Sequence, residues 1–452
     1  MRRPTNGEPK ADRRDRRVGF GYPWTAAIAS PATICLLVLC ASAAAQATYH
    51  VAPQGDDGSP GTREKPFRTV QKALQAMAER GGAISIGPGV YDLEGFSTTL
   101  ERPVTIEGAG SDRTTLTNTA TIIFTSSLTV RDLRFTSGRG ITLKPFAPEG
   151  GRVDGVLIER CVFEKSQTGD RGVIGTSKDP KGVITNFVVR DCEFAGVNAG
   201  VVLMRGLISH VRIMDNTFTD IASEREGASA VIVGSNATME TTRDVLVCGN
   251  VMDTITGPTE VINGAGHEVH GVLAYGTNIN ILGNTVRNLN AGRDHEAIYT
   301  KARHSVIAGN TVEHCGSGGG GADIANKGGE FSVGNLVQGN KVISDLPGTG
   351  IFIAGGCVVL GNHVQKTNGA NGIDVYPLGH PAVVANNYSE TRHGAAIYVN
   401  AGDHTGRAFD WPDEGEVIVA GNVAASYEGQ PVKVTNALRP TVSGNEVRET
   451  AH

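Results

Sequence analysis

The sequence is poor in aromatic and charged residues, which make up 5% and 19% of its 452 residues. It also lacks the leucine ladder that leucine-rich repeats need and the 3.6-residue apolar period of helical repeats. Glycine, by contrast, occurs 60 times. This composition argues against a helical or leucine-rich solenoid and is typical of tight corners around a narrow aliphatic core.

Cysteine is also scarce, with seven residues in the chain, two of them within the first 47 positions. The other five are an odd number without close metal-type spacing, which argues against a disulfide framework and a cysteine metal site. Two of them, Cys161 and Cys192, occupy the same position of a repeated phrase. We therefore expect them to stack in the interior as small apolar side chains.

A short phrase, Gly-Asn followed by a small or charged residue and then an apolar one, recurs through the second half of the chain. Two variants of it, Asp215-Asn216 and Asn386-Asn387, complete the series. The steps between successive asparagines are 34, 34, 26, 30, 22, 25, 35 and 23 residues, for Asn216, Asn250, Asn284, Asn310, Asn340, Asn362, Asn387, Asn422 and Asn445.

A unit of this length buries its apolar face only against copies of itself, which is the logic of a solenoid. Asparagine tolerates left-handed backbone and bonds locally, so it indicates a recurring corner whose stacked copies bond to each other. The segments between corners are short and β-rich, and degenerate copies of the phrase occur upstream. The sequence predicts an all-β, single-domain right-handed parallel β-helix over residues 83–452, which we expect to be a monomer.

The first 47 residues run from an arginine-rich stretch to an apolar segment and then to small residues near Ala45 and Ala47. That order predicts a secretory signal peptide, with an uncleaved membrane anchor as the alternative. Removal of its seven basic and three acidic residues changes the net charge from −5 to −9. The mature chain is therefore expected to be secreted or periplasmic, to bind no membrane, and to have no nucleic-acid partner.

Residues 48–82 are predicted to form an N-terminal cap. Apolar residues recur at helical spacing between Thr69 and Arg80, with Thr69 as the N-cap and Gly81-Gly82 as the stop. An amphipathic helix at this place covers the open end of the coil, which would otherwise be an exposed sheet edge. This opening resembles the start of secreted proteins of the pectate-lyase-like superfamily.

Aligning the coils by their inward aliphatic residues predicts an outward stripe of aromatic, acidic, basic and amide groups that is typical of a sugar-binding groove. Lys301 and Lys327 are predicted to lie one above the other, about 4.8 Å apart. Their repulsion is relieved when one of them is neutral, and a neutral amine is a usable general base; two solvated lysines that splay apart are the alternative. The stripe comprises Tyr299, Lys301, Asp323, Lys327, Phe352, Asp374, Tyr376, Tyr398 and Asn400.

The phrase from Asp294 to Lys301, with Asn310-Thr311-Val312 beyond it, resembles the active-site segment of polysaccharide lyase family six, the alginate lyases and chondroitinase B. The resemblance covers roughly residues 260–330. It implies calcium bound by Asp294 and Glu296, with Asn263 as the third ligand and Glu268 as its rival. It also implies Lys301 as the base, and Lys327 at the place of the family's arginine acid.

The resemblance implies a secreted, calcium-dependent lyase that cleaves a uronate-containing polysaccharide by β-elimination. The expected substrate-binding residues are Arg293, Tyr299, Arg303, Lys341, Asp374, Tyr376 and Tyr398. Three other functions remain open on the same fold. They are glycoside hydrolysis by a carboxylate pair such as Asp323 and Asp374, uronate C5-epimerisation, and carbohydrate binding without catalysis.

Overall fold

The computed structural model describes residues 47–136, 141–167, 172–176, 181–223, 227–258, 268–291, 294–317, 320–402, 416–437 and 439–448. These residues contain helix α1 (Val70–Ala78), the 3-10 helix Gly329–Phe331 and 41 strands. The strands are β1 Thr48–Val51, β2 Gly82–Ile86, β3 Gly89–Asp92, β4 Phe96–Leu100, β5 Val104–Glu107, β6 Thr114–Thr117, β7 Ala120–Phe124, β8 Leu128–Arg131, β9 Arg134–Thr136, β10 Ile141–Pro145, β11 Arg152–Glu159, β12 Val162–Glu164, β13 Ile174–Gly175, β14 Val183–Arg190, β15 Glu193–Ala195, β16 Ala199–Leu203, β17 Leu207–Met214, β18 Thr217–Ala222, β19 Ser229–Val233, β20 Arg243–Cys248, β21 Val251–Thr256, β22 Val269–Leu282, β23 Thr285–Ala291, β24 Asp294–Arg303, β25 Val306–Ala308, β26 Thr311–Ser317, β27 Gly320–Asn326, β28 Asn335–Gln338, β29 Lys341–Ser344, β30 Thr349–Ala354, β31 Cys357–Leu360, β32 His363–Lys366, β33 Ile373–Tyr376, β34 Ala382–Ala385, β35 Tyr388–Thr391, β36 Ile397–Asn400, β37 Val417–Ala420, β38 Val423–Ser426, β39 Val432–Thr435, β40 Thr441–Ser443 and β41 Glu446–Arg448.

The strands form two sheets, and every strand pairs in parallel with its counterpart one coil away. A 14-stranded sheet contains β3, β6, β9, β12, β15, β18, β21, β23, β26, β29, β32, β35, β38 and β41. The other 27 strands form two ladders that share the long strand β22. One of these, called the front ladder below, runs through β4, β7, β10, β13, β16, β19, β22, β24, β27, β30, β33, β36 and β39. The chain is a right-handed parallel β-helix, as the repeat predicts.

The recurring asparagines form a continuous hydrogen-bonded ladder along the coil, which confirms the predicted stacking. Each Nδ2 from Asn216 to Asn422 donates to the Oδ1 of the asparagine one coil further on, at 2.9–3.0 Å. The same Oδ1 also accepts the backbone N–H of the preceding asparagine, as Asn284 does from Asn250 at 3.0 Å. Buried amides at the corner are thereby satisfied without water.

The residue with left-handed backbone at each corner is the one before the asparagine, not the asparagine itself. Gly283 and Gly309 have φ of 62° and 64°, and Asp215 and Asn386, which stand at the same place in the two variants, both have 54°. The left-handed position therefore favours glycine or a short polar residue. Each asparagine thus marks a corner, as predicted, and the residue before it has the left-handed conformation.

The interior is lined by columns of identical or similar side chains. Phe135, Phe163, Phe194 and Phe218 stack with ring centroids 4.6–5.0 Å apart, close to one strand spacing. Cys161 and Cys192 are both buried and free. Burial and the neighbouring Cys192 raise the pKa of Cys161 well above its ordinary value. The prediction that these two cysteines are buried without a disulfide is confirmed.

The N-terminal helix begins as predicted, because Thr69 is its N-cap and its side chain accepts the N–H of Lys72 at 3.3 Å. The helix ends at Ala78, and its apolar face, Val70, Ala73, Leu74 and Met77, is buried. Strand β1 pairs with β2, so the sheet already includes residues assigned to the cap. The predicted signal peptide lies outside the described residues, and no helix within them is long and apolar enough to cross a membrane.

Candidate functional site

In β24 and the strands next to it the inward-outward alternation of the front ladder is interrupted at one position, called the bend below, which decides which side chains face outward. Ala297 and Ile298 are consecutive residues of β24, yet both are fully buried. The equivalent residue of β30 is Gly350, where an added Cβ would contact Val364 and Lys366 of the opposite sheet. At the bend, therefore, two successive residues face inward and the alternation of the strand is interrupted.

The bend places Asp323 inside the coil, so the prediction that it faces the outward stripe is wrong. Asp323 stands where neighbouring coils have Ala297 and Gly350, and it is fully buried. Its Oδ2 lies 2.9 Å from Nζ of Lys366, and its Oδ1 lies 3.2 Å from Nε2 of His295. Lys366 and His295 are also fully buried. We call His295, Asp323 and Lys366 the inner cluster.

Lys301 and Lys327 lie on the same outward face, on neighbouring coils. Thr300 pairs with Asn326, and the Lys327 N–H donates to the Thr300 carbonyl at 2.9 Å. Both ammonium groups lie over the ring of Tyr299, with Nζ 5.9 Å from its centroid for Lys301 and 5.3 Å for Lys327. The lysines have the register that the repeat predicts.

The two lysines have different partners. Nζ of Lys327 lies 2.6 Å from Oε1 of Glu296, whose side chain is 3% exposed. Nζ of Lys301 donates to Oδ1 of Asn236 at 3.0 Å and also lies 5.8 Å from the ring centroid of Tyr275. Among the described residues, no carboxylate oxygen lies within 4.0 Å of Lys301 Nζ. One ammonium is thus held by a buried carboxylate and the other by a neutral amide.

A histidine joins two carboxylates beside Lys327. Nδ1 of His270 lies 3.4 Å from Oε2 of Glu296, and its Nε2 lies 3.2 Å from Oε2 of Glu268. The hydrogen bond to His270 and the positive charges of His270, Lys327 and Lys301 hold the pKa of Glu268 below its ordinary value. We call Glu268, His270, Glu296 and Lys327 the outer cluster.

Two tyrosines form the wall behind these groups. Burial raises the pKa of Tyr275 to about 12 and that of Tyr299 still further. The carboxylates Glu268 and Glu296 act in the same direction on both phenols. Both hydroxyls therefore keep their protons at physiological pH and are available as donors.

The outward face continues along the front ladder as a series of aromatic residues. Phe352 and Tyr376 have ring centroids 5.4 Å apart, and Tyr376 and Tyr398 have centroids 6.1 Å apart. Asp374 lies between Phe352 and Tyr398 in the register of the ladder and is 5% exposed. Burial raises the pKa of its carboxyl to about 6, although the hydrogen bond from Asn371 opposes the shift.

The remaining predicted site residues that the structure describes lie on different sheets of the coil. Arg303 is on the front ladder, with Nε 3.0 Å from Oγ1 of Thr277 and its guanidinium over Phe331. Lys341 is on β29 of the 14-stranded sheet, paired with Glu313 at 3.0 Å. It is therefore not brought together with Lys301 and Lys327. Arg293 and Asn263 lie outside the described residues.

Of the three predicted calcium ligands, only Glu296 has a described side chain; Asp294 is the first residue of β24. The Oε2 atom of Glu296 is buried and makes no hydrogen bond within the described ranges, although Nδ1 of His270 lies 3.4 Å away. In the same ranges no three His, Cys, Asp or Glu side chains are grouped as metal ligands. Calcium binding stays a prediction.

Sequence reasoning missed four residues of this site: His270, Tyr275, Asn236 and Asn371. The repeat contained a signal for the first two, because β22 pairs with β24 so that His270 stands opposite Glu296 and Tyr275 opposite Lys301. Extending the alignment one coil upstream would have placed them. Asn236 and Asn371 lie outside the strands, where register gives no guidance.

Residues 53–257 match a family model described as a protein of unknown function, DUF1565. No curated protein matches the sequence. Among solved structures, the periplasmic alginate epimerase AlgG is 14% identical over 84% of this chain and 89% of that chain, with a TM-score of 0.48.

Two further solved structures are similar at comparable levels. A mannuronic acid specific polysaccharide family 6 lyase from human gut microbiota is 14% identical over 80% of each chain, with a TM-score of 0.40. A GH87 alpha-1,3-glucanase from Streptomyces thermodiastaticus is 16% identical over 84% of this chain and 67% of that chain, with a TM-score of 0.39. At these identities the similarity assigns no activity to this chain.

Proposed function

We propose that this protein is an exported polysaccharide lyase that cleaves a uronate-containing polymer by β-elimination, with Lys301 as the base. The observation that carries the proposal is the pair of lysines over Tyr299, one on a buried carboxylate and one on a neutral amide. A base and a fixed cation on one outward face are the two groups that this elimination needs.

The outward face suits a chain of sugar units. Aromatic rings at Tyr299, Phe352, Tyr376 and Tyr398 follow one another along the front ladder and offer apolar surface to sugar rings. Arg303 and the two lysines supply positive charge for uronate carboxylates. A protein with a net charge of −9 after signal removal needs such a local basic region to bind a polyanion.

The chemistry starts at C5 of the uronate, whose proton is weakly acidic until the adjacent carboxylate is neutralised. Lys327, held as a cation by Glu296, lies where it can pair with that carboxylate. Lys301 acts as the base and removes the C5 proton, the C4–C5 double bond forms and the C4–O4 bond breaks. The departing O4 takes a proton from the phenol of Tyr275 or Tyr299, both of which remain protonated.

Calcium remains part of the proposal. Asp294, Glu296 and Asn263 would hold it, with Glu268 as the rival third ligand, and it would supply further neutralisation of the substrate carboxylate. The carboxylate of Glu296, whose Oε2 makes no hydrogen bond within the described residues, suits an oxygen-preferring cation. Calorimetric titration of the chelator-treated protein with calcium, and of a Glu296→Gln variant, tests this independently of activity. Absence of binding heat in the wild-type protein would contradict it.

C5-epimerisation is the second candidate, because two protonated phenols stand beside one lysine. If one group removes the C5 proton and a phenol returns it, the configuration changes without cleavage. Hydrolysis by the predicted pair Asp323 and Asp374, or by Asp374 with Glu296, is disfavoured. Asp323 is inside the coil, and Glu296 and Asp374 are three strands apart, about 14 Å, beyond the separation of about 9.5 Å at which glycosidase pairs act.

The decisive assay incubates the mature protein with alginate, with chondroitin or dermatan sulfate, and with polygalacturonate, and follows the absorbance of unsaturated product. Lys301→Ala should reduce the rate by about 10²–10⁴-fold, the usual contribution of a general base. Lys341→Ala is the matched control, since this lysine belongs to the other sheet. A changed monomer ratio without cleavage would favour epimerisation, and binding without any product would favour a non-catalytic protein.

We further propose that residues 1–47 direct export to the periplasm or the medium, and that the mature chain is a monomer that binds neither membranes nor nucleic acid. N-terminal sequencing of the protein recovered from the medium or periplasm should begin after Ala45 or Ala47. Recovery of the uncleaved chain from the membrane fraction would instead indicate an anchor. Light scattering of the mature protein checks the monomer.

A further inference from the structure

Asp374 is a carboxyl group placed among aromatic rings on the outward face. In the register of the front ladder its column reads Leu273, Tyr299, Ala325, Phe352, Asp374, Tyr398 and Lys433. Its neighbours in sequence, Ile373 and Val375, are fully buried and face the core. Asp374 therefore faces away from the core and is nevertheless only 5% exposed.

The carboxyl is half satisfied. Its Oδ2 accepts a hydrogen bond from Nδ2 of Asn371 at 3.0 Å. Asn371 is itself fixed, because its Oδ1 accepts the backbone N–H of Ala395 at 2.9 Å. The Oδ1 of Asp374 is buried without a hydrogen-bond partner in the part of the chain that the structure describes. A buried acceptor left in this state costs free energy that a bound donor would recover.

The rings around Asp374 have the arrangement of a small binding site. Phe352 precedes it and Tyr398 follows it along the ladder, and Tyr376 lies beside both, in an edge arrangement with Tyr398. The rings offer apolar surface to a sugar ring, and the single free oxygen offers an acceptor to a hydroxyl. One or two precisely placed polar groups in an apolar setting are the usual means of orienting a ligand.

We infer that Asp374 is a specificity-determining residue of a distal subsite, which accepts a neutral sugar unit through a hydroxyl and rejects a uronate whose carboxylate would face it. This inference rests on the proposed function and narrows its substrate class. Two carboxylates brought together in an apolar site repel strongly, whereas a hydroxyl donates to Oδ1. The favoured polymer therefore alternates uronates with neutral sugar units rather than consisting of uronates alone.

The position of the subsite fits a role in binding and not in proton transfer at the reacting sugar. Asp374 is three strands from Glu296 along the front ladder, about 14 Å. A sugar bound there belongs to the same polymer but is distant from the atoms that react at Lys301. We therefore expect Asp374 to alter which polymers bind, with little effect on the rate for a polymer that is already bound.

The test measures binding in the Lys301→Ala protein, so that no substrate is consumed. The probes are two oligosaccharides of equal length, one made only of uronates and one alternating uronates with neutral sugars, titrated by calorimetry. The alternating probe should bind tighter by on the order of tenfold or more. Adding Asp374→Asn should remove most of this difference by tightening the binding of the all-uronate probe, because the amide is neutral and nearly the same shape.

Asp253→Asn is the matched control, since Asp253 lies on β21 of the other sheet and pairs with Arg287. It should leave both affinities unchanged. Equal affinity for the two probes before the change, or the same preference after Asp374→Asn, would overturn the inference. The lyase proposal has a separate test. If the preference for the alternating probe is seen but the wild-type protein forms no unsaturated product, the subsite is supported and the lyase reaction is contradicted.

Discussion

The inner and outer clusters contain the same kinds of groups, a carboxylate, a lysine and a histidine, and are separated by one wall of the coil. His295 belongs to the inner cluster and Glu296, the next residue, to the outer one. The inner side chains are fully buried, whereas Lys327 is 33% exposed and its ammonium lies over the rings of Tyr299 and Phe352. The same ionic chemistry is therefore closed to ligands on one side and open to them on the other.

The difference in exposure suggests different roles: we expect the inner cluster to affect stability and the outer cluster to affect ligand binding and reaction. A fully buried ion pair costs desolvation that its attraction only partly offsets, so its members depend on each other. In the outer cluster Oε2 of Glu296 lies 3.4 Å from Nδ1 of His270 but makes no hydrogen bond within the described residues, so a bound cation or donor would satisfy it. The bend decides to which cluster each residue belongs. Four substitutions test how burial governs the role of a charged group, and they follow in order of their expected effect on the free energy of unfolding.

Lys366→Met should have the largest effect, because it leaves the carboxylate of Asp323 buried without its ion-pair partner. We expect a loss of about 3–5 kcal/mol in urea unfolding. The double variant Lys366→Met with Asp323→Ala removes both charges, and alanine already stands at this position in the preceding coil, as Ala297. It should recover most of the loss. A single variant as stable as the wild type would contradict the dependence of the two residues on each other.

Asp374→Asn should stabilise the protein at neutral pH. The carboxyl has a pKa of about 6 in the folded chain and an ordinary value of 3.8, so the folded state binds its proton more tightly. Stability therefore falls as pH rises through that window, by up to about 3 kcal/mol. Urea unfolding of both proteins at about pH 4 and about pH 8 should show the variant gaining only at the higher pH. An equal difference in the free energy of unfolding between variant and wild type at both pH values would contradict a raised pKa of Asp374 as its cause.

Glu296→Gln should change stability by about 1 kcal/mol or less, because Lys327 is partly exposed and can be hydrated when its partner loses charge. Activity on the polyuronate that the wild type cleaves should nevertheless fall by about 10²-fold, as for loss of an electrostatic contact to the reacting group. Unfolding and initial rates are measured on the same preparation. Full activity in this variant would remove the outer cluster from the mechanism.

Lys341→Ala should have the smallest effect. Its ion pair with Glu313 is half exposed, and such pairs contribute about 0–1 kcal/mol. Activity should be unchanged, because this lysine lies on the 14-stranded sheet. A large loss of activity would show that the substrate also contacts that sheet, and it would restore the sequence-based assignment of Lys341 to substrate binding.

The fold was predictable because its signal is repeated many times. One asparagine per coil set the register well enough to place Lys301 beside Lys327, and the structure agrees through the pairing of Thr300 with Asn326. The sequence alone does not say which residue of the phrase is left-handed, because glycine and asparagine both tolerate that conformation. In the structure the asparagine side chains are buried in the amide ladder, and the positive φ belongs to the residue before each asparagine.

The site was less predictable because the bend decides whether a side chain faces the core or the outside. Strict alternation places Asp323 on the outside, but two consecutive inward residues at the bend reverse it. Nothing in the phrase Ala322-Asp323-Ile324 signals the reversal, since glycine and alanine at the same place in other coils are common everywhere. Lys341 lies apart from Lys301 for a simpler reason, because it follows the asparagine corner and so begins a strand of the other sheet.

The asparagine ladder has a consequence for how such a protein changes over evolutionary time. Its hydrogen bonds keep lengths of 2.9–3.0 Å although the chain between successive asparagines varies from 22 to 35 residues. Each coil is thus a module that can be deleted or duplicated at its asparagine without disturbing the phase of the others. Loss of one coil between Lys327 and Asp374 would bring Asp374 closer to Glu296 by one strand spacing of about 4.8 Å. The distance between the reacting group, Lys301, and the selecting group, Asp374, therefore changes only in whole strand spacings.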